Sequence, residues 1–471
     1  MDRHPLVQRW LRGLENIPTQ GSNDVPNYWS HTPEGLLTTS NIYGNVKLGT
    51  GYSVYADSIL PGIESAETEV ILVTCFWARS ATLSALADSL RTLSTKALQR
   101  GGQIRVCICF SSLSLFQKLF HTTSLQGQIY LSSQWVSKLG LPSSEELKGL
   151  DLEVKSIFIR PFSVLRPKFV IIDRHMVYLP SCNVSWEDWF EGCVTLSGDV
   201  VGQFIRFWSN VWARSEDEDA ALPDTNRNDY FGSTDGSTKL STPDGASQSV
   251  QSIFLPSPHH VNPSFSLLPW RDCPPPPPTP LNTFLLTAIG HAQKSIYMQT
   301  PNLTSPPVLS ALLAALKRGV NIEILTSDKL MILEQLVTAG STTSRCVKTL
   351  VKRHRRLISA YKREDSKDFA VLEGQPTVAP GKLKVSFYRP KAASDRVGTA
   401  AEPVQSHLKL TIVDGKWTVL GSGNLDRASW FTSQELGVAF HSPEFANDVV
   451  GEVRRWMDDR RLEVYDSSAA G

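Results

Sequence analysis

Nowhere does the chain carry an uncharged apolar run long enough to cross a bilayer, which takes about 20 residues. The opening stretch, MDRHPLVQRWLRGLENIP, also lacks the apolar segment of a secretory leader. The expected location is therefore intracellular, cytoplasmic or at a membrane periphery, with no transmembrane segment. Charge of one sign is missing too: 47 Lys and Arg stand against 46 Asp and Glu, a net +1. With no global field to draw the chain to a duplex, nucleic acid is a less favoured partner, and anion preference must come from local clusters. Cysteine is sparse and badly spaced for zinc. The seven residues form no Cys-x2-Cys pair, and Cys75, Cys107 and Cys109 lie in apolar runs where cysteine serves as a small buried hydrophobe. Reduced thiols and no metal site are expected.

What is present is a large apolar fraction, 41% over 471 residues, enough for two domains or one duplicated core. A short amphipathic helix is expected near Leu6 to Leu14. A helix-like segment from Gly51 to Ala66 leads to a strand run, Val70 to Phe76, then a helical pattern from Ser80 to Leu98, a Gly101-Gly102 stop, and a strand from Ile104 to Phe110. That is a βαβ unit. The pattern returns as a helix at 281–292, a strand from Ser295 to Gln299, a helix from Pro307 to Lys317 closed by Arg318-Gly319, and a strand from Val320 to Thr326. The run from Val154 to Pro161 is likewise echoed by Val385 to Pro390.

These repeats divide the chain into an N-terminal extension (1–40), a first lobe (41–213), a linker (214–280), a second lobe (281–460) and a tail (461–471). The linker assignment rests on the acidic run Ser215 to Asp219, the Ser/Thr/Gly/Asp/Asn-rich stretch Asn226 to Ser249, and the prolines after Cys273. A flexible connection is the first reading, and a proline ligand for an SH3 or WW domain the second. In 345–363, Leu350, Leu357 and Ile358 fall near one helical face, with Lys348, Lys352, Arg355 and Arg356 opposite. This is a solvated basic face or an anion attractor.

The chemistry concentrates in 406–437, SHLKLTIVDGKWTVLGSGNLDRASWFTSQELG. Asp414-Gly415 between two apolar runs signals a hairpin, and strand geometry sends His407 and Lys409 to one face. Ser422, Asn424 and Glu435 follow. Subtracting 241 from 407, 409, 414, 422 and 424 gives Arg166, Lys168, Asp173, Ser181 and Asn183, so four of the five residue types recur at one constant offset. Glu191 answers to Glu435 only after a three-residue gap. The constant offset reads as an internal duplication.

The spacing His407-x-Lys409-x4-Asp414, followed by Gly421-Ser422-x-Asn424, resembles the HKD signature of the phospholipase D superfamily. It is closest in style to the cardiolipin synthase and phospholipase D-like branch, with the first copy degenerate. The resemblance implies an α/β fold of two similar lobes, each a mixed sheet flanked by helices, related by a pseudo-two-fold. It implies phosphodiester chemistry without metal or other cofactor, in which one histidine attacks phosphorus and a second protonates the leaving oxygen. Carried over residue by residue, the catalytic group is His407, Lys409, Asp414, Ser422, Asn424 and Glu435. Arg166, Lys168, Ser181 and Asn183 bind the substrate phosphate, and Asp173 is a structural member of the first motif. Lys168 and Lys409 are the cationic clamp, while Asp173 and Asp414 hold turn geometry. Glu435, and secondarily Glu191, would orient a histidine through Nδ1.

Arg166 departs from the pattern, because guanidinium stays protonated and is neither nucleophile nor base. Three readings follow. His407 works alone as a phospholipase D-like hydrolase or phosphatidyltransferase; the protein binds phospholipid or other phosphodiesters without turnover; or another imidazole, His175 or His121, substitutes. A nuclease, including the tyrosyl-DNA phosphodiesterase type, is less favoured, since both Asp residues and the tight Gly-Ser-x-Asn loop are kept. Trp186, Trp189, Phe190, Trp430 and Phe431 read first as packing and second as an apolar pocket. The expected partner is a phosphodiester, with phospholipid the leading class and peripheral membrane contact allowed. A monomer is expected, since two lobes of one chain already fill the interface.

Overall fold

β-Branched and aromatic residues fill the runs that become strands, and Gly or Asp-Gly closes them, so strand and helix alternate in two rounds. A computed structural model describes residues 4–15, 32–113, 124–158, 164–185, 187–213, 247–257, 275–365, 378–391 and 402–468. In the first half, β1 (Leu37–Thr50) precedes β2 (Glu69–Phe76), β3 (Ile104–Ser112), β4 (Ser124–Ile129) and β5 (Leu150–Phe158). Then come β6 (Phe169–Ile172), β7 (Met176–Pro180) and β8 (Trp189–Ser197). β2, β3 and β5 pair in parallel, and β6 adds antiparallel to β2, followed by β7 and β8.

The second half repeats this order after β9 (Ser247–Ser257). β10 (Ser295–Thr300), β11 (Asn321–Thr326) and β12 (Leu383–Tyr388) pair in parallel. After the short β13 (Gln405–Ser406), β14 (Leu410–Val413) adds antiparallel to β10, then β15 (Trp417–Gly421) and β16 (Glu435–His441). β17 (Arg461–Asp466) pairs with β12, and β4 with β5. The mixed sheet thus runs 4-5-3-2-6-7-8-1-9-16-15-14-10-11-12-17. Helices cover it. Ala81–Gln99, capped by the Ser80 hydroxyl accepting from Leu83 N at 3.0 Å, buries Leu83, Leu86, Leu90 and Leu93. Pro306–Lys317 occupies the same place in the second half, and both helices end near a left-handed glycine, Gly101 and Gly319.

Three parts of the sequence reading are corrected. The 1–40 segment is no separate extension: its helix, Pro5–Glu15, lies where one was expected, but its Trp10 donates from Nε1 to Pro280 O at 3.0 Å and packs on Phe284 inside the main core. Its residues 37–40 belong to β1. The linker contains β9, which buries Val250, Ile253, Phe254 and Leu255 and pairs with β1 on one side and β16 on the other. Averaging composition over 214–280 dilutes this short apolar run; residues 214–246 and 258–274 lie outside the described residues. The tail begins with β17, an ordinary sheet strand. Among the described residues no helix is long and apolar enough to cross a membrane.

Candidate active site

The two motif segments meet where β13 lies parallel to β8, Gln405 opposite Trp189 and Ser406 opposite Phe190, and where Leu165 bridges Gln434. His407 N donates to Phe190 O at 2.9 Å, and Arg166 N donates to Gln434 O at 3.0 Å. The residue after each acceptor is a glutamate. This register sets Glu191 against His407 and Glu435 against Arg166, so each half lends its carboxylate to the other. His407 Nδ1 and Glu191 Oε1 are 2.6 Å apart, while Glu435 Oε1 is 3.7 Å from Arg166 Nε. The second oxygen of each carboxylate accepts from a motif hydroxyl at 2.5 Å, Ser181 to Glu191 and Ser422 to Glu435. Those hydroxyls in turn accept from Gly192 N and Leu436 N. Glu435 is therefore not the carboxylate that orients His407; Glu191, the weaker sequence match, is.

Lys409 Nζ lies against the His407 ring, 2.8 Å from Nδ1 and 3.0 Å from Nε2, and 2.6 Å from the His407 carbonyl oxygen, and Lys168 Nζ donates to Arg166 O at 3.0 Å. Asn183 Oδ1 accepts from Cys75 N and Phe76 N at the end of β2. Asn424 donates from Nδ2 to Asp426 Oδ2 at 3.0 Å. The Trp189 ring sits 4.9 Å from that of His407, whereas Phe190, Trp430 and Phe431 are core; Trp186 lies outside the described residues.

The site is nearly closed, with His407 only 5% exposed. Burial pulls its imidazole down to about 4; Glu191 opposes the shift, and Lys409 and Lys168 reinforce it. Lys409 falls to about 7, mainly by burial, with Glu191 opposing. Burial alone would raise Glu191, but His407 and Lys409 hold it below the usual carboxylate range. Glu435 moves the other way: burial raises it, Arg166 pulling against the rise. Burial would lower Arg166, yet Glu334, Asp426 and Glu435 raise it. At neutral pH this describes a neutral His407 donating from Nδ1 to an ionised Glu191, leaving Nε2 as the lone-pair nitrogen beside Lys409.

Asp173 and Asp414 are not at the reacting end. Asp414 sits in the turn, five residues beyond Lys409 or about 16 Å along an extended chain. Its carboxylate accepts from the backbone N–H of Gln293, Lys294 and Ser295. Asp173 does the same for Glu67, Thr68 and Glu69. His175 lies in that same distal turn and does not replace the missing histidine; His121 is outside the described residues. Two site residues escaped the sequence reading. Glu334, on helix Ile332–Ala339, pairs with the Arg166 guanidinium and belongs to no motif. Asp426 caps helix Arg427–Phe431 and accepts from Asn424; an Asp ahead of Arg427-Ala-Ser was its available signal.

Residues 285–457 match the family model described as cardiolipin synthase, PLD-like domain. No curated relative matches the sequence significantly. Among solved structures, phosphatidylserine synthase from Haemophilus influenzae Rd KW20 superposes with a TM-score of 0.50 at 13% identity, over 93% of this chain and 92% of that one. Nuc, a phospholipase D family member from Salmonella typhimurium, aligns over 40% of this chain and 91% of its own at 20% identity, TM-score 0.26. Polyphosphate kinase from Porphyromonas gingivalis aligns over 88% and 50% at 9% identity, TM-score 0.45. The first of these speaks for a common fold. Residues 285–457 thus form a phospholipase D-like domain, and the fold over nearly the whole length is shared with phosphatidylserine synthase.

Proposed function

We propose that the protein is a phosphodiesterase or phosphatidyltransferase, with phospholipid as its substrate class, built from a duplicated unit and working through His407 without a resident metal. The observation that carries this reading is the buried Glu191–His407–Lys409 array, an oriented neutral imidazole in a cationic setting. In the first step Nε2 forms a bond to phosphorus and the bond to the leaving oxygen breaks. Glu191 stabilises the resulting imidazolium, while Lys409, drawn from Nε2 to the phosphoryl oxygens, joins Lys168 and Arg166 against developing charge. Arg166 cannot supply the leaving group's proton. The protonatable group beside it is Glu435, whose raised pKa suits a general acid. Water or an alcohol then attacks phosphorus, returns its proton to Glu435, and the bond to Nε2 breaks.

The test is turnover of a phosphatidyl substrate and of bis(p-nitrophenyl) phosphate in the presence of a chelator. The expected kcat/KM rises as His407 loses its proton through about 4 and falls as Lys409 loses its own through about 7, both belonging to the coupled cluster. A rate that stays level to strongly alkaline pH would remove the Lys409 proton from the mechanism. Glu435→Gln is expected to slow release of a poor alkoxide leaving group about 100-fold while changing release of nitrophenolate about threefold at most. Equal losses on both substrates would assign Glu435 a purely structural place.

The second reading, a phosphodiester-binding protein without turnover, is favoured by the Glu334 contact that already occupies Arg166 and by Lys409 covering Nε2. It expects affinity for phospholipid or nucleotide that falls with Lys168→Ala and Lys409→Ala and no release of product.

A further inference from the structure

The helix Ile332–Ala339, which carries Glu334 to the site, is amphipathic the wrong way round for a water-soluble surface. Its polar side chains face inward: Gln335 is 2% exposed and Thr338 4%. Gln335 donates to Asn302 Oδ1 and Leu330 O and accepts from Thr343, and Glu334 pairs with Arg166. Its apolar side chains face out: Leu333 is 79% exposed, and Ile332, Leu336 and Val337 are exposed beside it. Positions 332, 333, 336 and 337 fall on one helical face, so they form a contiguous apolar patch. A surface helix normally turns that face to the core, and an apolar patch left outward marks a contact surface.

The charge around the patch selects the partner. Lys329 precedes the helix, and Arg345 and Lys348 follow it on helix Thr343–Asp365, all exposed. The nearby Asp328 is engaged by Ser344 and Arg389. An apolar face with exposed cations close in sequence on both sides fits the headgroup and acyl boundary of an anionic bilayer. The helix is delimited at both ends: Met331 and Gly340, on either side, take left-handed backbone at φ 54° and 61°.

We infer that helix Ile332–Ala339 is an interfacial docking element, inserting Ile332, Leu333, Leu336 and Val337 into a phospholipid surface. Through Glu334 it joins that surface to Arg166. The inference rests on the phosphodiesterase reading only for its view of the substrate, a lipid reaching the site from the bilayer beneath the helix. Insertion moves Glu334 relative to Arg166, which frees the guanidinium for a lipid phosphate.

The experiment is flotation of the full chain with vesicles of phosphatidylcholine containing roughly one-third phosphatidylglycerol. Wild type and a Leu333→Glu/Leu336→Glu double variant are compared, with turnover of bis(p-nitrophenyl) phosphate measured in parallel. The expected result is vesicle-bound wild type, a partition coefficient at least about tenfold lower in the variant, and unchanged turnover of the soluble diester. Both substitutions lie on exposed side chains, and an unchanged circular dichroism spectrum and melting temperature establish that the variant folds. Wild type that stays unbound, or a variant that floats equally well, overturns the inference. So does a wild-type dimer in sedimentation that the variant converts to monomer, since a second copy would then cover the face. If wild type floats through this face but turns over no diester, the docking element stands and the enzymatic reading falls.

Discussion

His407→Ala is expected to remove at least about a thousandfold of the turnover on any phosphodiester the wild type accepts, because the variant has no atom to form the covalent intermediate. The residual rate would come from binding and charge stabilisation by Lys168, Lys409 and Arg166. The matching positive result is a phosphoenzyme, trapped by acid-free denaturation of labelled wild type and mapped to residue 407, that the variant does not form. Glu191→Gln separates orientation from nucleophilicity: the amide retains an acceptor for Nδ1–H but loses the charge that stabilises imidazolium, so label should still accumulate, more slowly. Wild-type activity persisting undiminished in His407→Ala would end the mechanism.

The second large effect is on stability, at the opposite end of the same hairpin. Asp414→Ala is expected to cost about 3 kcal/mol, from three backbone donors losing a charged acceptor and an alanine held at left-handed φ. In a chain of this size that lowers the melting temperature by several degrees and shifts the urea midpoint. Asp414→Asn keeps an oxygen acceptor and tolerates the left-handed conformation, so it should recover about half the loss. Diester turnover by the folded Asn variant should stay within about twofold of wild type, a split that a reacting aspartate would not permit. Because the Asp173 carboxylate makes the same contacts with 67–69, its replacement should act likewise on the first half.

Much of this was legible because it is written in local periods. The apolar runs, the Arg-Gly helix stops and the Asp414-Gly415 turn depend on a few consecutive residues, and the 241-residue offset aligned Lys168, Asp173, Ser181 and Asn183 with their counterparts. The pairing of Glu191 with His407 was hidden for the opposite reason. It is set by β13 docking on β8, two segments more than 200 residues apart, and spacing within either motif cannot report it. The sequence ranks Glu435 ahead of Glu191 as the carboxylate for a histidine, and the sheet register gives that place to Glu191. β9 escaped because its short apolar stretch stands amid Ser, Gln and Pro, where window averages favour a loop. Glu334 escaped because a lone carboxylate on an amphipathic helix has no signature; only the inward turn of Glu334 and Gln335 gives it away.

The crossed carboxylates also say which losses the molecule tolerates. Replacing a histidine in one half leaves the other half's histidine with its carboxylate intact, since that carboxylate is carried on a separate strand of the half that was changed. Deleting the first half outright would strand His407 without a carboxylate. The first lobe, with Arg166 where the second has His407, is thus expected to be indispensable as the source of the acceptor for the His407 Nδ1 proton.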